Sequence, residues 1–281
     1  MSIVKKNIGI TRIVTYLVIC FFLLLFLFPI YWMFLASLRD NPTVMSMPPK
    51  FAPSITTLQN YVQIFSSPKY LVYIKNSLIV ATSTVLICLC ISTMASFVLS
   101  RYRFPFKKVL LSSLLSVQMF PIVAILISLF TFFSKMKLTN NYLGLILADI
   151  SMSLPLAIWM LKSFFDTVPR SLDESAAIDG CGRFRILVEI AFPLIKPGIA
   201  AVAIYTFLKS WDDYMFGLVL MNKNSMKTLP VGIAESFMGE FVHNYAGMMT
   251  LAFIASLPLL LLFIFFQRYM IVGLTGGAVK E

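Results

Sequence analysis

Residues 169–197 read PRSLDESAAIDGCGRFRILVEIAFPLIKP. The stretch is too polar to cross a bilayer and too patterned for a plain loop. Ser171 and Glu174 have the S-x-x-E spacing of a capping box, so the spacing predicts a helix that starts there. Ala176, Ala177 and Ile178 continue it, and Gly180 is placed to end it in a left-handed cap. A second helix is predicted over Arg183–Phe192. Ile186, Ile190 and Pro193 lie on one side of it, with Phe184, Leu187 and Val188 broadening the apolar stripe. Pro193 and Pro197 then break the path onward. The segment therefore reads as a helix–turn–helix elbow. It either caps a helical bundle or forms a knob for a partner, whose backbone the small side chains at 175–177 would let approach closely.

What flanks the elbow is apolar. Of 281 residues, 59% are hydrophobic and only 12% are charged, against roughly a quarter charged in soluble domains. One globular core of this size cannot hide so much apolar surface, so lipid must solvate most of it. The net charge of +11 fits basic residues that flank spans and fix topology, with no call for nucleic acid. Cys20, Cys88, Cys90 and Cys181 form no CxxC pair; neither disulfide nor metal is expected.

Six segments approach the ~20 apolar residues a span needs: 13–38, 76–99, 108–134, 142–163, 198–221 and 248–271. Each must be helical, because lipid offers no partner to open backbone groups. The run 13–38 is too long for a signal-peptide core and reads as a retained span. Lys5, Lys6, Arg12, Arg101, Arg103, Lys107, Lys108, Lys162, Arg170, Arg183, Arg185, Lys196, Arg268 and Lys280 would share one side. That bias places both termini and the elbow in the cytoplasm. The outer segments are 39–75, with Pro42, Pro48, Pro49, Pro53 and Pro68, then 135–141 and 222–247. No internal repeat stands out, and the chain reads as a single membrane domain, 1–281.

The fifth span carries charge. Lys209 lies about 18 Å along the helix beyond Pro197, near the bilayer middle. Asp213, four residues on, is expected to share its face with Tyr205 and to pair with Lys209. An unpaired charge there costs about 2.5–3.5 kcal/mol or more, so this face must turn inward. It forms either a structural ion pair or the lining of a path or gate, with Asp212, Trp211 and Tyr214 adding polar and aromatic groups. Asp149 in the fourth span is a second candidate. Gln118 and Pro121 mark a potential kink in the third.

Glu174-Ser175-Ala176, followed by Asp179-Gly180 and later Pro193, resembles the EAA signature of bacterial ABC-importer permeases, with Ser175 where Ala is usual. Trp211-Asp212-Asp213-Tyr214, Thr228–Gly232, Gln267-Arg268-Tyr269 and Gly273–Lys280 resemble the carbohydrate-uptake branch, most closely the smaller, maltose-type permease subunit; Asn is commoner in place of Asp212. The resemblance implies an all-α type I ABC importer transmembrane domain in the bacterial inner membrane. It implies a heterodimer with a second homologous permease, two cytoplasmic ATPase subunits and an extracytoplasmic solute-binding protein, with segment 222–247 as the expected contact. Glu174, Ser175, Ala176, Asp179, Gly180 and Arg183 would couple to the ATPase, and the cargo would be a sugar or oligosaccharide.

A P-loop, GxxxxGK[ST], is absent, so ATP hydrolysis is expected on another chain. No nucleophile set or cofactor site is apparent, and the single histidine, His243, reads as surface. Besides an ABC-importer permease for another solute, an ion-coupled secondary carrier using Lys209, Asp212, Asp213 and Asp149 as a relay is the competing reading. It gives no reason for the elbow and lacks the repeats common in that class.

Overall fold

The small side chains of the second span organise the packing. In the computed structural model, which describes residues 2–51, 57–238 and 244–278 (side chains from Arg12 to Gln267), every described element is helical. In chain order these are α1 (Ser2–Ser37), α2 (Asn41–Val44), α3 (Gln59–Ser66), α4 (Pro68–Arg101), α5 (Lys107–Ser116), α6 (Ile122–Lys135) and α7 (Tyr142–Thr167). There follow α8 (Arg170–Ile178), α9 (Arg183–Leu194), α10 (Lys196–Trp211), α11 (Met215–Leu220), α12 (Leu229–Phe237) and α13 (Tyr245–Ala278). Pro53, His243, Val279 and Lys280 lie outside the described residues, as do the side chains of Lys5, Lys6 and Arg268.

Four stretches are long and apolar enough to cross a membrane unbroken: Arg12–Ser37, Pro68–Arg101, Tyr142–Thr167 and Tyr245–Gln267. The two remaining expected spans are not continuous helices. In the third, Lys107–Met119 and Ile122–Lys135 meet at 97°. Pro121 drives Phe120 out of the helical region, to φ −76° and ψ 132°, so the suspected kink is a full break. In the fifth, α10 ends at Trp211 and α11 starts only at Met215.

The chain divides into two compact units, residues 1–67 with 233–257, and residues 68–232 with 258–281. In the first, Asn60 donates from Nδ2 to the carbonyls of Ser37 (3.1 Å) and Arg39 (2.7 Å). Thr250 donates from Oγ1 to the Ser37 carbonyl at 3.3 Å, and the Phe34 and Phe253 rings meet at 5.0 Å. Much of Arg12–Ser37 stays bare, with Leu24 71% and Phe26 70% exposed, as a helix solvated by lipid would be.

The second unit is built on α4, α7 and α10. Ser77, Ala81, Thr84, Cys88, Ser92, Ser96 and Ser100 recur every three or four residues along α4, and all are buried. Small residues let helix backbones approach where lipid removes any hydrophobic drive to associate. Ser96 Oγ donates to the Ile158 carbonyl at 2.8 Å, and Phe97 meets Phe165 edge-on at 5.6 Å. Gly198 serves the same close packing on α10: a Cβ there would lie 2.4 Å from the Phe164 ring.

Candidate functional site

The second unit carries functional groups at both ends of α7. Near its start, Asp149 is 4% exposed and accepts a hydrogen bond from Ser210 of α10. The Ser210 hydroxyl lies 3.5 Å from that of Thr84 on α4, so one polar knot joins three helices. Asp149 borders a cavity of about 270 Å³ lined also by Gln118, Ser153, Tyr205, Lys209 and Asp213. A second cavity, about 450 Å³, shares Tyr205, Lys209 and Asp213 and adds Asp212, Tyr214 and Met215.

Asp213 is placed by the break in the fifth span. Its carboxylate accepts from the backbone N–H of Phe216 (3.2 Å) and of Gly217 (2.8 Å). It thereby caps α11 and satisfies donors that a helix start leaves open. This competition for backbone donors is the reason the helix does not run through. Gly217 has to be small: a Cβ would lie 2.8 Å from Thr228 Oγ1 and 3.1 Å from a Val231 methyl.

Three expectations change here. Lys209 and Asp213 form no ion pair among the described residues. They face shared cavities, because α10 has ended before Asp213 and the helical i,i+4 register is lost. Trp211 lines neither cavity; it is 4% exposed and stacks on Phe207 at 5.4 Å. Asp149, the second candidate, borders the smaller cavity but is itself buried and bonded between helices.

At the far end of α7, about 27 Å along the axis from Asp149, lies the elbow. Helix α8 begins at Arg170, two residues earlier than the capping box requires. Pro169 at φ −58° precedes it and Ser171 falls inside its first turn, so no side chain caps it. Its end is as expected. Gly180 sits at φ +83°, Gly180 N donates to the Ala177 carbonyl (3.2 Å) and Cys181 N to that of Ala176 (2.9 Å), a Schellman closure. Helix α9 runs past Pro193 to Leu194 and widens to a π turn over Ile186–Ala191. The wider turn gives room upstream of the proline ring, which would clash in regular α geometry. The chain then turns 83° into α10.

The two faces of the elbow differ. Inward, Asp173 pairs with Arg101 at 2.5 Å, both side chains under 10% exposed. Arg101 also donates from Nη1 to the carbonyls of Phe165 and Val168, each at 3.1 Å. Arg170 donates to the Ser100 carbonyl at 3.0 Å, and Ser100 Oγ to Asp166 at 2.6 Å. Ala176, expected on the docking face, is buried on this inner side. Outward lie Glu174, Ser175, Asp179 and Gly180, with Ile178 87% and Phe184 68% exposed. Arg183 stands over the Tyr102 ring at 5.7 Å. Sequence reasoning read Arg101 only as a topology signal and passed over Asp173. Burial of a charge was the missing information; the signal at hand was an acid one residue before Glu174, on another helix face.

The family model for the binding-protein-dependent transport system inner membrane component matches residues 89–273. The chain is 34% identical over 258 residues to the trehalose/maltose transport system permease protein MalG of Thermococcus litoralis, covering 90% of this chain and 91% of that one. It is 33% identical over 254 residues to the sulfoquinovosyl glycerol transport system permease protein SmoH of Agrobacterium fabrum, covering 90% and 89%. A chain in the crystal structure of a bacterial ABC transporter that imports the acidic polysaccharide alginate shares the fold, with a TM-score of 0.81 at 18% identity over 96% of this chain and 99% of that one. A family match over most of the chain, and relatives spanned almost end to end, make it a member of the binding-protein-dependent transport system inner membrane components: a multi-pass transport subunit of the inner membrane, not an enzyme.

Proposed function

We propose that this chain is one of two permease subunits in an ATP-driven importer that takes a sugar or oligosaccharide from an extracytoplasmic binding protein. The elbow, with both termini, faces the cytoplasm and seats one of two ATPase subunits. The cavities at the other end of α7 and α10 line the path or its gate. Several relatives carry sugar-transport names, and two cavities that between them bear Tyr205, Tyr214, Lys209 and the carboxyl groups of Asp149, Asp212 and Asp213 suit a hydroxyl-rich cargo.

One observation carries the mechanism. Helix α9 of the elbow is joined to α10 by the single residue Ile195 at an 83° turn, and the far end of α10 bears Lys209 and Ser210. A push on the elbow therefore reaches the cavity through about 20 Å of unbroken helix. Closure of the ATPase pair would move α8 and α9, and α10 would carry that movement to the Ser210–Asp149 bond. The outer contact for the binding protein is assigned to residues 222–247. There the 221–228 loop is held to α4 by Asn76, which donates to the carbonyls of Ser225 (3.1 Å) and Lys227 (2.9 Å).

The test is Glu174→Lys in the assembled transporter. Glu174 is exposed on the outer face of α8, so the variant should insert normally yet lose ATPase subunits on purification and lose ATP-dependent uptake. Intact uptake places the coupling elsewhere. Uptake that survives ATP depletion but collapses with an uncoupler would mean an ion-coupled carrier.

A further inference from the structure

Beside the elbow lies a cluster of positive charge that the transport reading does not use. Arg170 donates to the Ser100 carbonyl at 3.0 Å, Lys107 donates to the Tyr102 carbonyl at 3.2 Å beside Arg103, and Lys162 pairs with Asp166, the carboxylate nearest to all four. That carboxylate is already engaged by Ser100 and Lys162, and Asp173 is taken by Arg101. Four cations therefore share one spoken-for anion. Like charges gathered this way repel, and an outside anion that joins them offsets the repulsion.

The neighbouring surface tells which kind of anion. Phe106 is 80% exposed and held at φ 61°, a backbone region costly for a bulky residue. Val109 (64%) and Leu110 (43%) follow it at i+3 and i+4, so an apolar stripe runs down α5 from the cations. Phe104 adds a further aromatic edge, 38% exposed. Cations at the head of an apolar helix match an amphiphile with an anionic head and acyl chains.

We propose that Arg103, Lys107, Lys162 and Arg170 bind the phosphate headgroup of an anionic phospholipid in the leaflet on the elbow's side, with its acyl chains along Phe106, Val109 and Leu110. The lipid neutralises the cluster and anchors the loop between α4 and α5 at the membrane surface. This inference needs only the spans and stands apart from the choice of cargo.

The test is native mass spectrometry of the delipidated protein with its co-purifying subunits, titrated with phosphatidylglycerol or phosphatidylethanolamine of the same acyl chains. The wild type should retain phosphatidylglycerol preferentially, and the preference should fall as salt rises. The double variant Arg103→Gln/Lys107→Gln should lose about tenfold in phosphatidylglycerol retention, with phosphatidylethanolamine unchanged. Arg103→Lys/Lys107→Arg should keep it. Equal retention of both lipids by the wild type, or a salt-independent preference, overturns the proposal without reliance on any variant. Full displacement by inorganic phosphate overturns it in favour of a free-anion site. A preference seen only after ATPase subunits are stripped away also overturns it, because the patch then faces protein.

Discussion

The two ends of α7 hold their charges differently. At the elbow end, Arg101 and Asp173 are paired and both are nearly sealed from solvent. At the cavity end, Lys209 and Asp213 face common space without pairing, and Asp213 spends its carboxylate on backbone donors. A paired, buried charge fixes two elements against each other. Lys209 borders the cavity outside any ion pair among the described residues, so its ammonium group stays open to a cargo. On the function proposed above, the elbow end would transmit force and the cavity end would meet a ligand.

The comparison breaks most severely at Arg101→Ala. Losing one partner of a buried pair strands the other charge, at a cost of about 3–5 kcal/mol. A thermal melt in detergent should show the variant largely unfolded, with Arg101→Ala/Asp173→Ala recovering part of the loss. A single variant as stable as wild type would mean that the pair fixes nothing. Gly217→Ala comes next. Its methyl group must push aside Thr228 and Val231, an overpacking cost of about 1–3 kcal/mol. Uptake should fall with stability in step, and a neutral result would show that α11 shifts freely. The smallest stability effect is expected of Asp213→Ala, about 1 kcal/mol for a lost helix cap. Its transport defect should exceed its insertion defect, because the cavity loses a polar wall. Normal uptake at normal expression would reduce Asp213 to a cap.

Much of this contrast was legible beforehand, and unevenly so. The spans follow from apolar run length, and the left-handed turn at Gly180 from the need for a residue without a Cβ. The buried stripe from Ser77 to Ser100 is a regular pattern in the sequence too, but hydropathy alone reads it as part of an apolar span. What hydropathy could not supply was the break at Asp212–Tyr214. A run of apolar residues shows that lipid is tolerated, not that every backbone donor is spent within the helix. Asp213 takes two of those donors, and the predicted Lys209 pair fails with the register. Trp211 looked like a sugar-facing aromatic by composition, but its neighbour four residues back, Phe207, stacks on it and closes it off. The inward turn of Asp173 depended on Arg101, some seventy residues away, and no local pattern carries that contact.

The outer face of the elbow is the proposed seat for an ATPase. A photocrosslinking residue at Ile178, and separately at Tyr214, in the assembled transporter tests this most directly. The expected result is an adduct with the ATPase subunit from position 178 and none from position 214. No ATPase adduct from 178, or an equal yield from 214, would contradict it.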